Sequence, residues 1–262
     1  MTYHDFATFP YLVMFVFIIG LCFGSFFNVL ADRLAQDRWP TGRSKCDFCG
    51  RMLKWGMLVP VVSFVMGKAK SMCCGKKLSL WYPVSELLTG IVFVGLWYGA
   101  RLKGWSISEG ALFYVIVSSW IVIFLADLKY HIIPDMMTVV FTVAAFLLIA
   151  PLSSERIITH IAGGLLLFGL LYILYGATKG RGMGFGDVKF AFPMGLLLGP
   201  THGFLALYLS FMIGGIYGTM ALLSGNKKLK SSIAFGPFLI AGTTIMVVWG
   251  EQVFTYLQKL IG

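Results

Sequence analysis

Residues 182–189 read Gly-Met-Gly-Phe-Gly-Asp-Val-Lys and separate two long apolar runs, 157–177 and 203–223. An α-helix needs roughly 20 apolar residues to cross a lipid bilayer, and both runs meet that length. Other apolar runs of spanning length occupy 9–30, 83–100, 109–126, 133–151 and 235–257. The pattern around the glycines therefore indicates a chain that crosses a membrane many times.

The segment 187–199 is apolar but shorter than an ordinary span, and it ends at Gly199-Pro200. We count it as an eighth, short span. With 58% hydrophobic residues, 12% charged residues and a mean hydropathy of +0.84, the chain also lies outside the range of soluble domains. The sequence therefore predicts an all-α polytopic membrane protein with about eight transmembrane helices.

The formal net charge of +10 comes from basic residues that lie between the apolar runs rather than on one basic face. This distribution indicates membrane topology and not a nucleic-acid partner. Lys and Arg concentrate in alternate loops, including the tract 226–230, and the exceptions are Arg101, Lys103, Arg156 and Lys259. Because basic loops tend to stay inside, we expect these alternate loops to face the cytosol and both termini to lie outside.

The first cytosolic loop, 31–82, has about fifty residues, far more than a connection between two helices needs. Four of the five cysteines fall within it. We therefore expect a small cytosolic cysteine-containing subdomain at 31–82. It would follow a first transmembrane helix at 1–30 and precede a membrane-embedded domain at 83–262.

The cysteines of this loop have part of the spacing of a metal site. Zn²⁺ prefers four thiolate or imidazole ligands in a tetrahedron. Cys46, Cys49 and Cys74 supply three thiols, and Cys73 is the candidate for the fourth, although adjacent residues rarely bind one metal without strain. Zinc binding and reduced structural thiols are both compatible with this spacing, because ligand geometry decides such sites.

Two aspartates stand at the ends of spanning segments, where a carboxylate is costly and indicates function. Asp127 ends the third span and Asp187 begins the short span on the same predicted side, so we expect the two to meet. Two carboxyl groups in one desolvated site provide a general acid and a general base, which together activate water against a peptide carbonyl. Asp187 also fits the start of a helix as a cap, whereas the helix dipole disfavours Asp127 at a helix end.

The glycines at 182, 184 and 186 allow positive φ angles and let a substrate strand approach closely beside Asp187. Pro134 is expected to interrupt the next helix near its start and so to shape the other half of the cleft.

Three other charged residues have alternative interpretations. We expect Asp135 to cap the helix that begins there. Lys189 is a candidate counter-ion of the aspartates or an interfacial anchor. Glu86 lies beside a helix start, and a cap is one interpretation of it.

The two aspartate segments resemble a known family. Ala126-Asp127 followed by Ile133-Pro134-Asp135, together with Gly184-Phe-Gly-Asp187-Val-Lys189, is similar to the two aspartate motifs of prepilin leader peptidases, which are GxGD-type intramembrane aspartyl proteases. The resemblance implies that Asp127 and Asp187 are the catalytic pair and that 83–262 is the protease domain.

The N-terminal part resembles the same family in three places. Gly24-Ser-Phe-Phe-Asn28-Val-Leu-Ala-Asp-Arg33 looks like its first-helix motif, Cys46-Asp-Phe-Cys49-Gly50 like its first cysteine pair, and the segment 82–90, with Glu86, like its second-helix motif. Ser71 stands where the family often has the first cysteine of a second pair.

The resemblance implies removal of the basic leader of type IV prepilins or type II secretion pseudopilins at the cytosolic face of a bacterial inner membrane. Many family members also methylate the new N-terminus with S-adenosylmethionine. The residues Gly24, Asn28, Arg33 and Glu86 belong to that activity or to the structure; Asn28 also suits a bond between two helices.

Two other function classes fit the composition. A transporter would use Asp127, Asp187 and Glu86 as a proton or cation relay, with the short span as a discontinuous helix. The third hypothesis is a membrane methyltransferase that does not cleave its substrate. The sequence leaves open the individual prepilin, the acid and base roles within the pair, and the oligomeric state.

Overall fold

The computed structural model describes residues 3–39, 41–224 and 233–261. The basic tract 226–230, which belongs to one of the predicted basic loops, lies outside these ranges. The described chain is helical and has no β-strand in these ranges, which confirms the all-α prediction. Its α-helices are α1 (Tyr3–Leu34), α2 (Val62–Met66), α3 (Trp81–Lys103), α4 (Ile107–Tyr130), α5 (Asp135–Ile149), α6 (Ser154–Ala177), α7 (Phe185–Leu223) and α8 (Gly236–Ile261).

Within the described residues, six helices are long and apolar enough to cross a membrane. They are α1, α3, α4, α6, α7 and α8. The apolar helix α5 has only 15 residues. The protein is therefore a multi-pass membrane protein, and the predicted runs at 187–199 and 203–223 both fall within the 39-residue α7.

A sharp kink divides α7 at Gly199, where φ is 74° and ψ is 179°. This conformation is open to glycine and strained for other residues. The next residue, Pro200, has no N–H to donate to the carbonyl oxygen of Leu196. His160 of α6 meets that oxygen instead, with Nδ1 at 2.9 Å, so Nδ1 carries the hydrogen of this bond. The two arms of α7 thus join at a kink, and the carbonyl oxygen that the kink leaves without a backbone donor accepts a hydrogen bond from the neighbouring helix α6.

The chain divides into two compact units, residues 1–114 and 115–262. In the first unit α1 packs along α3. Gly24 lies at this contact, because a Cβ there would come 2.8 Å from the Cα of Glu86. Small residues at helix crossings let two membrane helices approach closely.

In the second unit α7 packs against α5, α6 and α8. The contact between α6 and α7 depends on glycines of both helices, since a Cβ on Gly163 would come 2.7 Å from the backbone nitrogen of Pro200. This packing fixes the first arm of α7, which begins with the glycine-rich segment.

Candidate active site and cysteine cluster

The second unit contains a cavity of about 1210 Å³. The end of α4, the segment before α5, the loop 178–184 and the first turns of α7 and α8 form its wall. Asp127 and Asp187 both line this cavity. The structure thus brings together the two carboxyl groups that the order of the loops predicts to meet, and they are near enough to interact electrostatically.

Asp127 lies near the C-terminal end of α4 and is 5% exposed. Its Oδ2 atom accepts a hydrogen bond of 2.8 Å from the backbone N–H of Gly236, the first residue of α8. Gly236 is not among the residues predicted from the sequence. A Gly-Pro pair at the beginning of an apolar run could have marked it as a special backbone position.

Asp187 is the third residue of α7 and is 6% exposed. Its Oδ2 atom accepts a hydrogen bond of 3.1 Å from the backbone N–H of Gly184, the residue before the helix. The same carboxyl group therefore satisfies a backbone N–H at the start of the helix and lines the cavity. Within the described residues, each aspartate thus accepts a backbone hydrogen bond through Oδ2, at the wall of the same cavity.

The glycines at 182, 184 and 186 do not use the positive φ that their lack of a side chain allows. None of these glycines has a positive φ, and φ at Gly184 is −75°. The left-handed residues of this loop are Lys179 and Gly180, and the chain passes from the extended Gly184 directly into α7. At Gly186 the constraint is steric, since a Cβ there would come 2.9 Å from Cβ of Ile133.

Asp135 and Lys189 form an ion pair at the edge of this cavity. Nζ of Lys189 lies 2.6 Å and 2.8 Å from the two carboxylate oxygens of Asp135. Pro134 is the residue before α5, and Asp135 is the first helical residue, so the expected capping role of Asp135 is not observed. Lys189 therefore has Asp135 as its counter-ion, and Pro134 marks the beginning of α5.

In the first unit, the motif residues of α1 make structural contacts. Asn28 donates from Nδ2 to the carbonyl oxygen of Gly24 at 2.9 Å and to Oγ of Ser85 at 2.8 Å. The bond to Ser85 links α1 to α3, as expected for a polar residue between two membrane helices. Arg33 donates to the carbonyl oxygens of Thr41 and Gly42, both at 3.0 Å, and so holds the chain that follows α1.

Glu86 lies in the second turn of α3 and therefore does not cap that helix, contrary to the capping interpretation. It is 7% exposed and accepts a 2.8 Å hydrogen bond from the N–H of Val61, as well as one from the side chain of Ser25. It lines a second cavity, of about 180 Å³, together with Asp32 and Asp47.

The four cysteines of the segment 31–82 form one cluster. The sulfur atoms of Cys46, Cys49, Cys73 and Cys74 all lie within 4.8 Å of one another. Cys49 and Cys73 are 3.3 Å apart, and Cys46 and Cys74 are 3.8 Å apart. The adjacent cysteines thus both belong to the cluster, although the sequence made this arrangement unexpected.

Two similar turns bring these sulfurs together. An antiparallel bridge closes each turn, Lys45 with Met52 and Lys70 with Lys77. Gly50 and Gly75 have φ angles of 68° and 72°, and each donates its N–H to the residue four positions earlier. That earlier residue is a cysteine in the first turn and a serine in the second.

Ser71 contacts the cluster through its hydroxyl group, which lies 3.4 Å from Sγ of Cys46 and 3.1 Å from Sγ of Cys73. The hydrogen bond from Ser71, assisted by backbone bonds from Phe48 and Cys49, lowers the pKa of Cys46 to about 6, while burial opposes this change. Four thiol groups within reach of one point match the donor set that Zn²⁺ prefers.

Comparisons with known proteins cover both units. Residues 18–100 match the bacterial peptidase A24 N-terminal domain, and residues 114–219 match the type IV leader peptidase family. A protein of Bacillus subtilis is 30% identical over 256 residues, which are 95% of this chain and 99% of that protein. Its name is prepilin leader peptidase/N-methyltransferase.

Two further relatives carry the same name. The Myxococcus xanthus protein is 31% identical over 83% of this chain and 65% of its own length, and the Stutzerimonas stutzeri protein is 26% identical over 94% of both. No solved structure gives a significant match to the chain.

The fold and the site define a multi-pass helical membrane protein with two buried carboxyl groups on one large cavity. The matches to the two family models and to the Bacillus protein identify its family. The chain belongs to the type IV leader peptidase family.

Proposed function

We propose that the protein is an intramembrane aspartyl endopeptidase that removes the basic leader of type IV prepilins or type II secretion pseudopilins. The observation that carries this proposal is the position of Asp127 and Asp187, two buried carboxyl groups on one cavity of about 1210 Å³. The relatives in Bacillus, Myxococcus and Stutzerimonas, all named prepilin leader peptidase/N-methyltransferase, support the substrate class.

In this reaction one carboxylate takes a proton from water, and the other carboxyl group donates a hydrogen bond to the scissile carbonyl oxygen as negative charge develops there. The backbone N–H groups of Gly236 and Gly184 each engage one oxygen of the pair. The remaining oxygens are then available for the water and the carbonyl group.

The topology proposed from the sequence has eight spans, with both termini outside and the active site at the cytosolic face of the inner membrane. It needs α5 and the two arms of α7 to count as separate spans. The kink at Gly199 supports the division of α7, and the excess of basic residues in alternate loops supports the orientation.

The cleavage test uses purified protein in lipid nanodiscs and a prepilin with an intact leader. We expect the unchanged protein to release the leader, and Asp127→Asn and Asp187→Asn to lose at least about 1000-fold in rate, since the acid and the base act as one unit. Glu155→Gln removes an exposed carboxylate at the start of α6 and is the matched control.

Near-normal cleavage by either folded aspartate variant would refute the paired mechanism. If the unchanged protein cleaves no prepilin or pseudopilin, the peptidase proposal fails and the transporter alternative gains support. The names of the relatives do not favour that alternative.

A second activity, methylation of the new N-terminus, is proposed from the names of the relatives. The smaller cavity of the first unit offers the carboxyl groups of Asp32, Asp47 and Glu86 to the cationic methyl donor, S-adenosylmethionine. The donor supplies the methyl group, and these residues would hold its positive charge. Calorimetric binding of S-adenosylmethionine that weakens in Asp47→Asn, with prepilin cleavage unchanged, would support this; equal binding by both proteins would contradict it.

A structural zinc ion is proposed for Cys46, Cys49, Cys73 and Cys74, because their sulfurs form the four-thiol set that Zn²⁺ prefers. Elemental analysis of the purified protein should then give about one zinc per chain. Cys73→Ser should lower the zinc content, and Cys22→Ser, which changes a thiol of α1 outside the cluster, should leave it unchanged. Unchanged zinc in Cys73→Ser, or no zinc in the unchanged protein, would contradict the proposal.

A further inference from the structure

The beginning of α8 forms a third side of the aspartate cavity. Residues 233–235, immediately before the helix, line this cavity, and Gly236 starts the helix. The N–H of Gly236 donates to Oδ2 of Asp127 over 2.8 Å in a buried hydrogen bond between residues 109 positions apart in the chain. A segment far from both aspartate motifs therefore touches one of the two carboxyl groups directly.

A side chain at this position would press on the carboxyl group of Asp127. A Cβ on residue 236 would lie 2.7 Å from Oδ2 and 3.3 Å from Cγ of Asp127. Contacts this short force one of the two groups to move. Any larger residue would therefore displace the carboxyl group of Asp127 or the start of α8.

The same contact explains how a carboxylate is held near the C-terminal end of α4, where the helix dipole opposes negative charge. The N–H groups at the start of α8 have the opposite polarity and stabilise negative charge. With Oδ2 bonded to Gly236, Oδ1 is left as the oxygen that reaches water or the peptide carbonyl.

We propose that Gly236 is a positioning residue of the peptidase, whose backbone N–H and lack of a side chain hold the carboxyl group of Asp127 in its reactive orientation. This inference rests on the proposed cleavage of prepilins. Gly236 acts through Asp127 and does not itself contact the reacting atoms.

The first test separates turnover from substrate binding. In Gly236→Ala we expect kcat to fall by about 10-fold to 100-fold, because a small displacement of a catalytic group has that effect, while KM changes by less than about threefold. Gly215→Ala is the matched control, since a Cβ at this position of α7 meets no atom within 4 Å. It should keep both constants. A normal kcat in Gly236→Ala would overturn the proposal.

The second test does not depend on cleavage. The melting temperature in detergent is measured for the unchanged protein, Gly236→Ala, Asp127→Ala and the double variant. Removing the Asp127 side chain removes the clash, so Gly236→Ala should lower the melting temperature of the unchanged protein and have little effect in the Asp127→Ala background.

An equal loss in both backgrounds would overturn the proposal, because Gly236 would then act through a different contact. If Gly236→Ala fails to fold alone, a folded double variant supports the proposal and an unfolded one refutes it. If the unchanged protein cleaves no prepilin, the proposed function fails, whereas the coupling between Gly236 and Asp127 is still decided by these melting temperatures.

Discussion

The carboxyl group of Glu86 in the first unit and those of Asp127 and Asp187 in the second are all buried in apolar helices. Glu86 accepts hydrogen bonds from the Val61 N–H and from the Ser25 side chain, beside a cavity of about 180 Å³. Within the described part of the chain, each aspartate accepts one hydrogen bond from a backbone N–H and lines a cavity about seven times larger.

The difference separates a carboxyl group that takes no part in leader cleavage from two that carry it out. A buried polar group with several partners has the hydrogen bonds that burial demands, and its removal should act on stability. A buried carboxyl group with a free acceptor oxygen on a large cavity has capacity left for water and substrate. Burial alone therefore does not identify a catalytic carboxylate in a membrane helix; incomplete hydrogen bonding beside a cavity is the more informative sign.

Apart from changes to the aspartates themselves, the largest effect is expected from the glycines before Asp187. Gly186→Ala should slow leader cleavage by about 100-fold, because the added Cβ would lie 2.9 Å from Cβ of Ile133 and shift the start of α7. Gly184→Ala keeps its N–H, and its Cβ would lie 3.5 Å from Oδ2 of Asp187, an ordinary contact. Cleavage rates of the two variants, measured side by side, should therefore differ at least tenfold. Similar rates would refute the steric explanation.

The packing side of the comparison is tested at the contact between α1 and α3. Gly24→Val should lower the free energy of unfolding by about 1–3 kcal/mol, since its side chain would press on the backbone at Glu86. Gly95→Ala is the control in α3, because a Cβ there meets no atom within 4 Å. Thermal unfolding in detergent measures both, and a Gly24→Val protein as stable as Gly95→Ala would contradict the packing account.

A smaller loss of stability is expected at the kink of α7. His160→Ala removes the donor to the Leu196 carbonyl oxygen that Pro200 leaves without a backbone partner. An unsatisfied buried carbonyl costs about 1–3 kcal/mol. Because His160 is half-buried, the free energy of unfolding should fall by about 1 kcal/mol. His160→Asn retains a donor and should recover part of the loss. No difference between the two variants in thermal unfolding would argue against the hydrogen bond.

The smallest effect is expected for the ion pair at the edge of the large cavity. Lys189→Met removes the partner of Asp135, but the side chains of these residues are 34% and 69% exposed. Exposed pairs contribute about 0.2–1 kcal/mol, so stability should change by no more than that. The change should become smaller still at high salt, and a salt-independent loss above about 1 kcal/mol would show that Lys189 has another role.

Much of the second unit could be predicted because its features are local. Apolar runs mark the helices, and the alternation of loops puts Asp127 and Asp187 on one side. That α7 is a single helix was harder to predict, because two apolar runs separated by Gly199-Pro200 give the same sequence pattern whether the helix stops or bends there. The structure shows the bend in the non-helical φ and ψ of Gly199, and His160 bonds the carbonyl of Leu196 that Pro200 leaves without a backbone donor.

The contacts that complete the sites could not be predicted, because they join distant segments. Nothing in the sequence near Asp127 points to Gly236, which follows it by 109 positions. The same holds for Cys73, whose sulfur joins the cluster because the turn closed by Lys70 and Lys77 directs two adjacent cysteines to one side. Spacing gives candidate ligands, and backbone geometry decides among them.

The assignment of catalysis to Asp127 and Asp187 is tested most directly by changing the length of one buried acidic side chain in each unit by one methylene group. Initial rates of leader cleavage are measured for Asp187→Glu and Glu86→Asp, each purified and shown to be folded. The account predicts that Asp187→Glu is about 100-fold slower, because the carboxyl group leaves its position at the cavity, and that Glu86→Asp stays within about threefold of the unchanged protein. A near-normal rate for Asp187→Glu, or an equal loss in Glu86→Asp, would contradict the assignment of catalysis to the Asp127–Asp187 pair.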